Sequence, residues 1–147
     1  MVNELVDGDT MRLGSLPWQD RFSVGDPRID ADHRRFFDYF AEAAGQVDQL
    51  AGSPVLQRLF MAIVDDLLRH LATEEQILAQ AGYNGLAAHR ISHQVLAAQA
   101  KAAVSICRDG EWVTALRLLA SLVVEHISVE DAKARPWLAA PPLRESA

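Results

Sequence analysis

The chain has 147 residues, the size of one domain, and 50% of them are hydrophobic, which is enough to build a packed core. Its 14 Lys and Arg against 20 Asp and Glu give a formal charge of -6, which excludes the basic footprint that nucleic acid requires. The single cysteine, Cys107, excludes an internal disulfide and a cysteine-built zinc site. The sequence begins without a basic, apolar leader and reaches no membrane-length apolar run, so we expect a cytoplasmic monomer with no membrane span.

Apolar residues recur at three-to-four spacing along four segments, which is the pattern of helices that bury one face. Asp30 is placed to cap the first helix, and Pro136 to end the fourth. The predicted helices run from Asp30 to just before Gly52, from Pro54 to Ala81, from Leu86 to Cys107 and from Glu111 to Ala134. Because short turns place consecutive helices antiparallel, the sequence predicts an all-α, up-down-up-down four-helix bundle.

The segment from Gly14 to Arg28 has no helical pattern but carries Trp18, Phe22 and Val24. We expect it to be an ordered N-terminal arm whose aromatic side chains pack on the bundle. The predicted division is an N-terminal extension over residues 1–16, a bundle domain over 17–135 and a C-terminal tail over 136–147.

All five histidines of the chain fall on predicted inward faces. In an up-down bundle the starts of the first and third helices meet the ends of the second and fourth. The histidines that therefore converge at one end of the bundle are His33, His70, His89, His93 and His126. Without a metal, five buried imidazoles would leave many ring nitrogens in need of partners.

Two carboxylates accompany the histidines at short spacing. Glu74 follows His70 by four residues, and Asp131 follows His126 by five. Taken alone, such a pair is more often a hydrogen-bonded pair or a solvated face. Taken together, five imidazoles exceed the four ligands of tetrahedral zinc, whereas with two bridging carboxylates they suit two metals. Mixed nitrogen and oxygen ligation suits iron without excluding other first-row metals.

Four short motifs stand in this order along the chain: VGDPRIDADH ending at His33, HLATEE from His70, HRISH from His89 and HISVED from His126. In order and spacing they resemble the ligand motifs of the hemerythrin family, especially its single-domain bacterial members. The resemblance extends from about Trp18 to Lys133, which is most of the chain.

The resemblance implies a non-haem centre of two iron ions with an oxo or hydroxo bridge. One iron would be held by His89, His93 and His126, and the other by His33 and His70. The carboxylates of Glu74 and Asp131 would bridge them. The family binds O2 reversibly at the two-histidine iron, where it is held as hydroperoxide, and NO or small anions such as azide are further candidate ligands.

Helical geometry by itself places Asp131 about 140° around an α-helix from His126 and favours Glu130, which is four residues on. The family pattern selects Asp131, so we take Asp131 as the metal ligand and keep Glu130 as the alternative. Glu75 is interpreted as a solvated surface residue and is left out of the site.

An apolar ligand pocket is expected beside the open iron position, because apolar walls slow the loss of bound peroxide to water. The candidate pocket residues, which ordinary core packing would equally explain, are Phe36, Leu71, Val123 and Ile127. Leu71, Leu78 and Leu122 stand where bacterial members often carry Phe, Met and Trp. Smaller side chains there could admit solvent or a larger ligand.

The leading functional hypothesis is reversible O2 binding for storage, delivery or sensing, which is a binding function and not an enzymatic one. The alternatives are a di-iron enzyme that consumes O2, peroxide or nitric oxide, with weak oxidase- or peroxidase-type activity, and an oxygen- or redox-signalling domain. Histidine-rich ligation favours binding, because oxidising ferritin-like centres are rich in carboxylates.

Overall fold

The computed structural model of the chain describes residues 17–50, 54–108 and 111–138, and these residues are almost entirely helical. Four long helices account for most of them: α1 (Pro27–Leu50), α2 (Pro54–Gln80), α3 (Leu86–Arg108) and α4 (Trp112–Glu125). A short 3-10 turn, Asp20–Phe22, precedes α1, and no strand occurs within the described ranges. The all-α prediction is confirmed. The predicted extension over 1–16, most of the tail, Gly52 and Ser53 lie outside the described residues.

The four helices pack around one apolar core that runs the length of the bundle. Its largest fully buried side chains include Phe36 on α1, Phe60 on α2 and Leu116 and Leu119 on α4. On α3 the core side is narrower, because Ala100 and Ala103 lie there. The starts of α1 and α3 and the ends of α2 and α4 meet at one end, as an up-down-up-down order requires.

The first helix begins earlier than predicted, and Asp30 is not its cap. Asp26 caps α1, since its Oδ1 accepts hydrogen bonds from the backbone N–H groups of Arg28 at 2.9 Å and Ile29 at 3.1 Å. Pro27 then occupies the first helical position, where its missing N–H costs nothing. Asp30 faces back instead, and its Oδ1 accepts the Val24 N–H at 2.9 Å.

The end of the fourth helix also differs from the prediction. After α4 the backbone widens into a π-helical turn over His126–Glu130 and tightens into a 3-10 turn over Asp131–Ala134. Pro136 does not end the helical chain, because it lies within a final short helix, α5 (Arg135–Leu138). The N–H that a proline lacks is not needed in the first turn of a helix, so Pro136 is tolerated there.

The segment before α1 lies against the bundle. Phe22 and Val24 are buried, and the ring of Trp18 packs edge-on against Phe37 with the centroids 5.8 Å apart. Arg135 donates hydrogen bonds to the backbone carbonyl oxygens of Ser23 and Arg21. The chain that follows the fourth helix is therefore tied to the chain that precedes the first.

One helical run, Trp112–Leu138, is long and apolar enough to cross a membrane by length and composition. It carries the buried polar side chains His126 and Asp131, and the apolar side chains that it buries, among them Leu116, Leu119 and Val123, belong to the core shared with the other three helices. Core helices of bundles pass the same test, and we interpret this run as one.

Candidate metal centre

The five histidines meet at the end of the bundle where the prediction places them. The helices α1, α2 and α3 and the π turn after α4 each contribute at least one, and every ring is buried, from 0% exposed at His33 to 7% at His126. His33 lies in the second turn of α1, His70 near the end of α2, and His89 and His93 in the first two turns of α3. The Nε2 atoms of His33 and His70 are 3.2 Å apart.

Two buried carboxylates lie between the histidines, and each presents one oxygen to either side. Glu74 Oε1 is 3.0 Å from Nε2 of His89 and 2.9 Å from Nε2 of His93, whereas its Oε2 is 3.4 Å from Nε2 of His70. Asp131 Oδ1 is 3.0 Å from Nε2 of His89, and its Oδ2 is 3.1 Å from Nε2 of His33. This is the arrangement expected of two carboxylates that bridge a pair of metal ions.

The donor atoms form two overlapping groups, and within each group all atoms lie within 4.8 Å of one another. One group holds Glu74, His89, His93, His126 and Asp131, and the other holds His33, His70, Glu74 and Asp131. Both carboxylates belong to both groups. The seven residues expected from the sequence are thus brought together, divided into a three-histidine side and a two-histidine side.

Several of these donor atoms are buried without a hydrogen-bond partner among the described residues: His126 Nε2, Glu74 Oε2 and both carboxylate oxygens of Asp131. A buried polar atom without a partner is costly and calls for an unseen ion or water. Neighbouring ligands at right angles on a metal with bonds of ~2.1 Å lie ~3 Å apart. The spacing of the nitrogens and oxygens is of this size, so the donor set fits first-row metal ions.

Asp131, and not Glu130, faces the cluster. The π turn carries five residues where an α-helix would carry four, and the N–H of Asp131 bonds to the carbonyl oxygen of His126. A five-residue step therefore returns Asp131 to the face of His126. Glu130 points outward, and its carboxylate lies 3.4 Å from the ammonium of Lys133. The spacing of a regular α-helix, which the sequence predicts here, does not give this placement.

Two further carboxylates, those of Asp32 and Glu75, bind histidine rings at the nitrogen that points away from the cluster. No signal in the sequence indicates Asp32, and Glu75 is expected from the sequence to be a solvated surface residue. His70 Nδ1 lies 2.8 Å from Asp32 Oδ2, and His93 Nδ1 lies 2.7 Å from Glu75 Oε2. An ionised carboxylate only accepts, so each ring donates from Nδ1 and keeps the Nε2 lone pair for a metal. Glu75 is therefore not the free surface residue that the sequence analysis described.

The buried carboxylates of the site favour the protonated form of two of the rings, those of His33 and His89. Burial lowers the pKa of His33 and His89, but the neighbouring carboxylates of Asp131 and Glu74 outweigh it and raise each pKa to about 9. Burial raises the pKa of Glu74, yet the surrounding histidines hold that pKa well below its ordinary value. Asp131 has a lowered pKa for the same reason. Both carboxylates are therefore anionic and suit a cation between them.

A small apolar cavity of about 10 Å³ lies beside the two-histidine side. This volume is about what one water-sized molecule needs. Its walls include all four residues proposed from the sequence, and the lining residues are His33, Phe36, Leu67, His70, Leu71, Leu96, Val123, His126, Ile127 and Asp131.

The three positions where the sequence departs from the family pattern have different surroundings. Leu71 lines the apolar cavity. Leu78 is fully buried beside Glu74 and Asp131, on another side of the cluster. Leu122 is half-buried and lines a groove on the surface between α3 and α4. Only one of the three therefore changes the wall of the cavity itself.

Comparison with known proteins identifies relatives over most of this region. A family model described as "Hemerythrin HHE cation binding domain" matches residues 24–138. A bacteriohemerythrin of Stenotrophomonas maltophilia (strain R551-3) is 32% identical over 86 residues, which are 56% of this chain and 54% of the relative. A myohemerythrin of Riftia pachyptila is 28% identical over 116 residues, or 79% of this chain and 88% of the relative. The match thus spans about half of the first relative, and no solved structure matches at comparable significance.

Proposed function

The chain belongs to the hemerythrin family, and from this premise we propose that it binds O2 reversibly at a non-haem di-iron centre. The observation that carries the proposal is the division of the donor atoms into two groups that share both carboxylates. Five histidine nitrogens and two shared carboxylates suit two ions and exceed the needs of one.

We assign the ligands by these groups. His89, His93 and His126 hold one iron, His33 and His70 hold the other, and Glu74 and Asp131 bridge them. With one further oxo or hydroxo bridge, the three-histidine side would offer six donors and the two-histidine side five. The open position would then be on the two-histidine side, which is the side that the apolar cavity adjoins.

Two ferrous ions held by these residues would supply the two electrons that reversible reduction of O2 to the peroxide level requires. The protein orients the ligands of the centre and excludes water from it. Asp32 and Glu75 hold the rings of His70 and His93 in the orientation and tautomer that ligation requires. The apolar walls keep water from the open position and so slow irreversible oxidation of the iron.

Binding is favoured over catalysis by the lining of the cavity. Apart from the proposed ligands, its described lining residues are all apolar: Phe36, Leu67, Leu71, Leu96, Val123 and Ile127. A hydrolytic or oxidative reaction needs a positioned acid, base or substrate-binding group, and this cavity offers none beyond the ligands. Its volume of about 10 Å³ is about what one water-sized molecule needs, which leaves no room for an organic substrate.

The remaining assignments follow from the same proposal. We propose one bundle domain over residues 17–135, flanked by the extension over 1–16 and the tail over 136–147, in a cytoplasmic monomer. The proposed roles in storage, delivery or sensing all depend on the same equilibrium, which is the reversible binding of O2 at the di-iron centre. NO and azide are proposed as further ligands of the open position.

The test is a metal count combined with reversible spectra. Anaerobically reduced protein loaded with iron should hold two irons per chain and develop a visible charge-transfer band in air that fades under argon. A single zinc, or no stable metal, would falsify the di-iron assignment. Immediate decay to the ferric form, with turnover of peroxide or nitric oxide, would replace the binding function by an enzymatic one.

A further inference from the structure

A groove on the surface of the bundle lies next to the proposed ligand cavity. It runs between α3 and the end of the fourth helix and has a volume of about 300 Å³. Its lining is mixed: the apolar members are Val95, Leu96, Leu122 and Val129, and the polar members are Ser92, Gln99, Glu125, His126 and Glu130. Val95 and Val129 are 53% and 48% exposed. Carboxylates occur only at Glu125 and Glu130.

The groove and the cavity share two lining residues, Leu96 and His126. Leu96 is 4% exposed, so its side chain closes the cavity toward the groove. A single layer of side chains therefore separates outside solvent from the cavity at this point. A change of the Leu96 side chain between its staggered rotamers would open this layer without movement of a helix.

Two further depressions beside the site, among the described residues, are poorer routes. A cleft between α1 and α2 shares only His70 with the cavity, and most of its lining side chains are charged. Among them, Arg35 pairs with Asp66 at 2.7 Å and with Asp32 at 3.0 Å. The depression around Val24 and Leu138 has no room for a water-sized molecule. The groove shares two lining residues with the cavity and carries fewer charged side chains than the cleft, which favours the groove as the route of an uncharged gas.

We propose that small uncharged ligands reach the di-iron centre through the α3–α4 groove, with Leu96 as the gate. The inference rests on the proposed binding of O2 at the two-histidine iron. Leu122 belongs to this route because it lines the groove and not the cavity. A larger side chain at position 122 would narrow the approach without touching the bound ligand.

The kinetic test fills the groove and follows ligand binding by stopped flow. Leu122→Trp should slow association and dissociation of O2 by the same factor, about tenfold, and leave Kd unchanged, because a barrier alters both rates equally. Val95→Trp, at a half-exposed position on the facing helix, should act in the same direction. Leu96→Val should speed both rates.

Thr73→Trp is the matched control, because the exposed Thr73 lines the charged α1–α2 cleft. Its rates should equal those of the unchanged protein. If Thr73→Trp slows binding and the groove variants do not, the route is wrong although the binding function stands. If the unchanged protein shows no reversible visible band, the proposed O2 binding is wrong, and this result is distinct from a failure of the proposed route.

A second readout does not depend on ligand binding by iron. Crystals of the iron-loaded protein under xenon pressure should hold a xenon atom in the groove against Leu96, since xenon occupies apolar space. Leu122→Trp should remove that atom. Xenon in the α1–α2 cleft, with none in the groove, would overturn the proposal.

Discussion

Asp131 follows His126 by five residues, and yet its Oδ1 lies 3.1 Å from Nε2 of that ring. The π turn over His126–Glu130 brings the two side chains to one face. A regular α-helix would have turned Glu130 to that face instead. Such turns are rare and occur often at functional sites. Here the irregular backbone selects which of two adjacent carboxylates enters the cluster.

Replacing the two adjacent carboxylates separately tests this selection. Asp131→Asn should lose iron, because it removes the anionic oxygens that face both donor groups. Glu130→Gln should keep two irons and the visible band, since Glu130 points away from the cluster and pairs with Lys133 at 3.4 Å. Iron content and the charge-transfer spectrum provide the measurement. Equal loss of iron in both variants would contradict the placement.

Asp32 should tune the affinity of the two-histidine side. Asp32→Asn removes the anionic partner of His70 Nδ1, and loss of such a partner typically weakens metal affinity about 10- to 100-fold. Competition with a chelator measures the change. Asp65→Asn is the matched control, because Asp65 is exposed and pairs only with Arg69. Unchanged iron affinity in Asp32→Asn would show that His70 does not need its partner.

The apolar wall of the cavity should control the rate at which the oxygenated protein autoxidises. Val123→Ala enlarges the cavity beside the two-histidine side, admits water and should speed autoxidation. Val124→Ala removes the same two methyl groups from a neighbouring buried residue that does not line the cavity. Both should lower the unfolding free energy by about 1–3 kcal/mol. Decay of the visible band compares them, and equal decay would count against a role of the wall.

The metal-free protein should lose stability as pH rises. His33 and His89 have a pKa of about 9 in the folded chain, above the ordinary 6.5 of an unfolded one. The folded state therefore binds more protons, and the stabilisation is fully present below pH 6.5 and is lost as pH rises through about 9. Denaturant melts of metal-free protein across this range measure it. Rising stability over the same range would refute the assignment.

Iron loading should release protons for the same reason. At a pH between 6.5 and 9 these two rings are largely protonated in the metal-free fold, and a metal binds only the deprotonated ring. Loading at low buffer strength should thus acidify the solution, and a pH indicator records the change. Loading without proton release would mean that the rings are neutral before the metal arrives.

Much of the fold and the cluster can be predicted because their signals are local or rare. Helical periodicity depends only on residues that are neighbours along the chain. The chain has so few histidines that their positions in the predicted helices already place all of them at one end of the bundle. Asp32 and Glu75 could not be found, since their partners His70 and His93 are 38 and 18 residues away. Their contacts depend on how two helices are rotated against each other.

The start of α1 shows a second limit. Asp26 and Asp30 are both plausible caps by composition, and only the backbone decides between them. Gly25 has a φ of 96°, a conformation that side-chain-bearing residues rarely adopt, and it turns the chain into the helix directly before Asp26. Asp30 is thereby free to bond back to Val24. A pattern of apolar residues carries no information on that choice.

The proposed ligands reach from His33 to Asp131, so a bound metal pair joins all four helices across most of the chain. With one cysteine, this chain has no disulfide to restrict its unfolded state, and the metal centre acts as its cross-link. Metal that binds only the folded state stabilises it by mass action. The lifetime of the protein against proteolysis should therefore follow the iron supply of the cell, and iron starvation would remove the protein together with its cofactor.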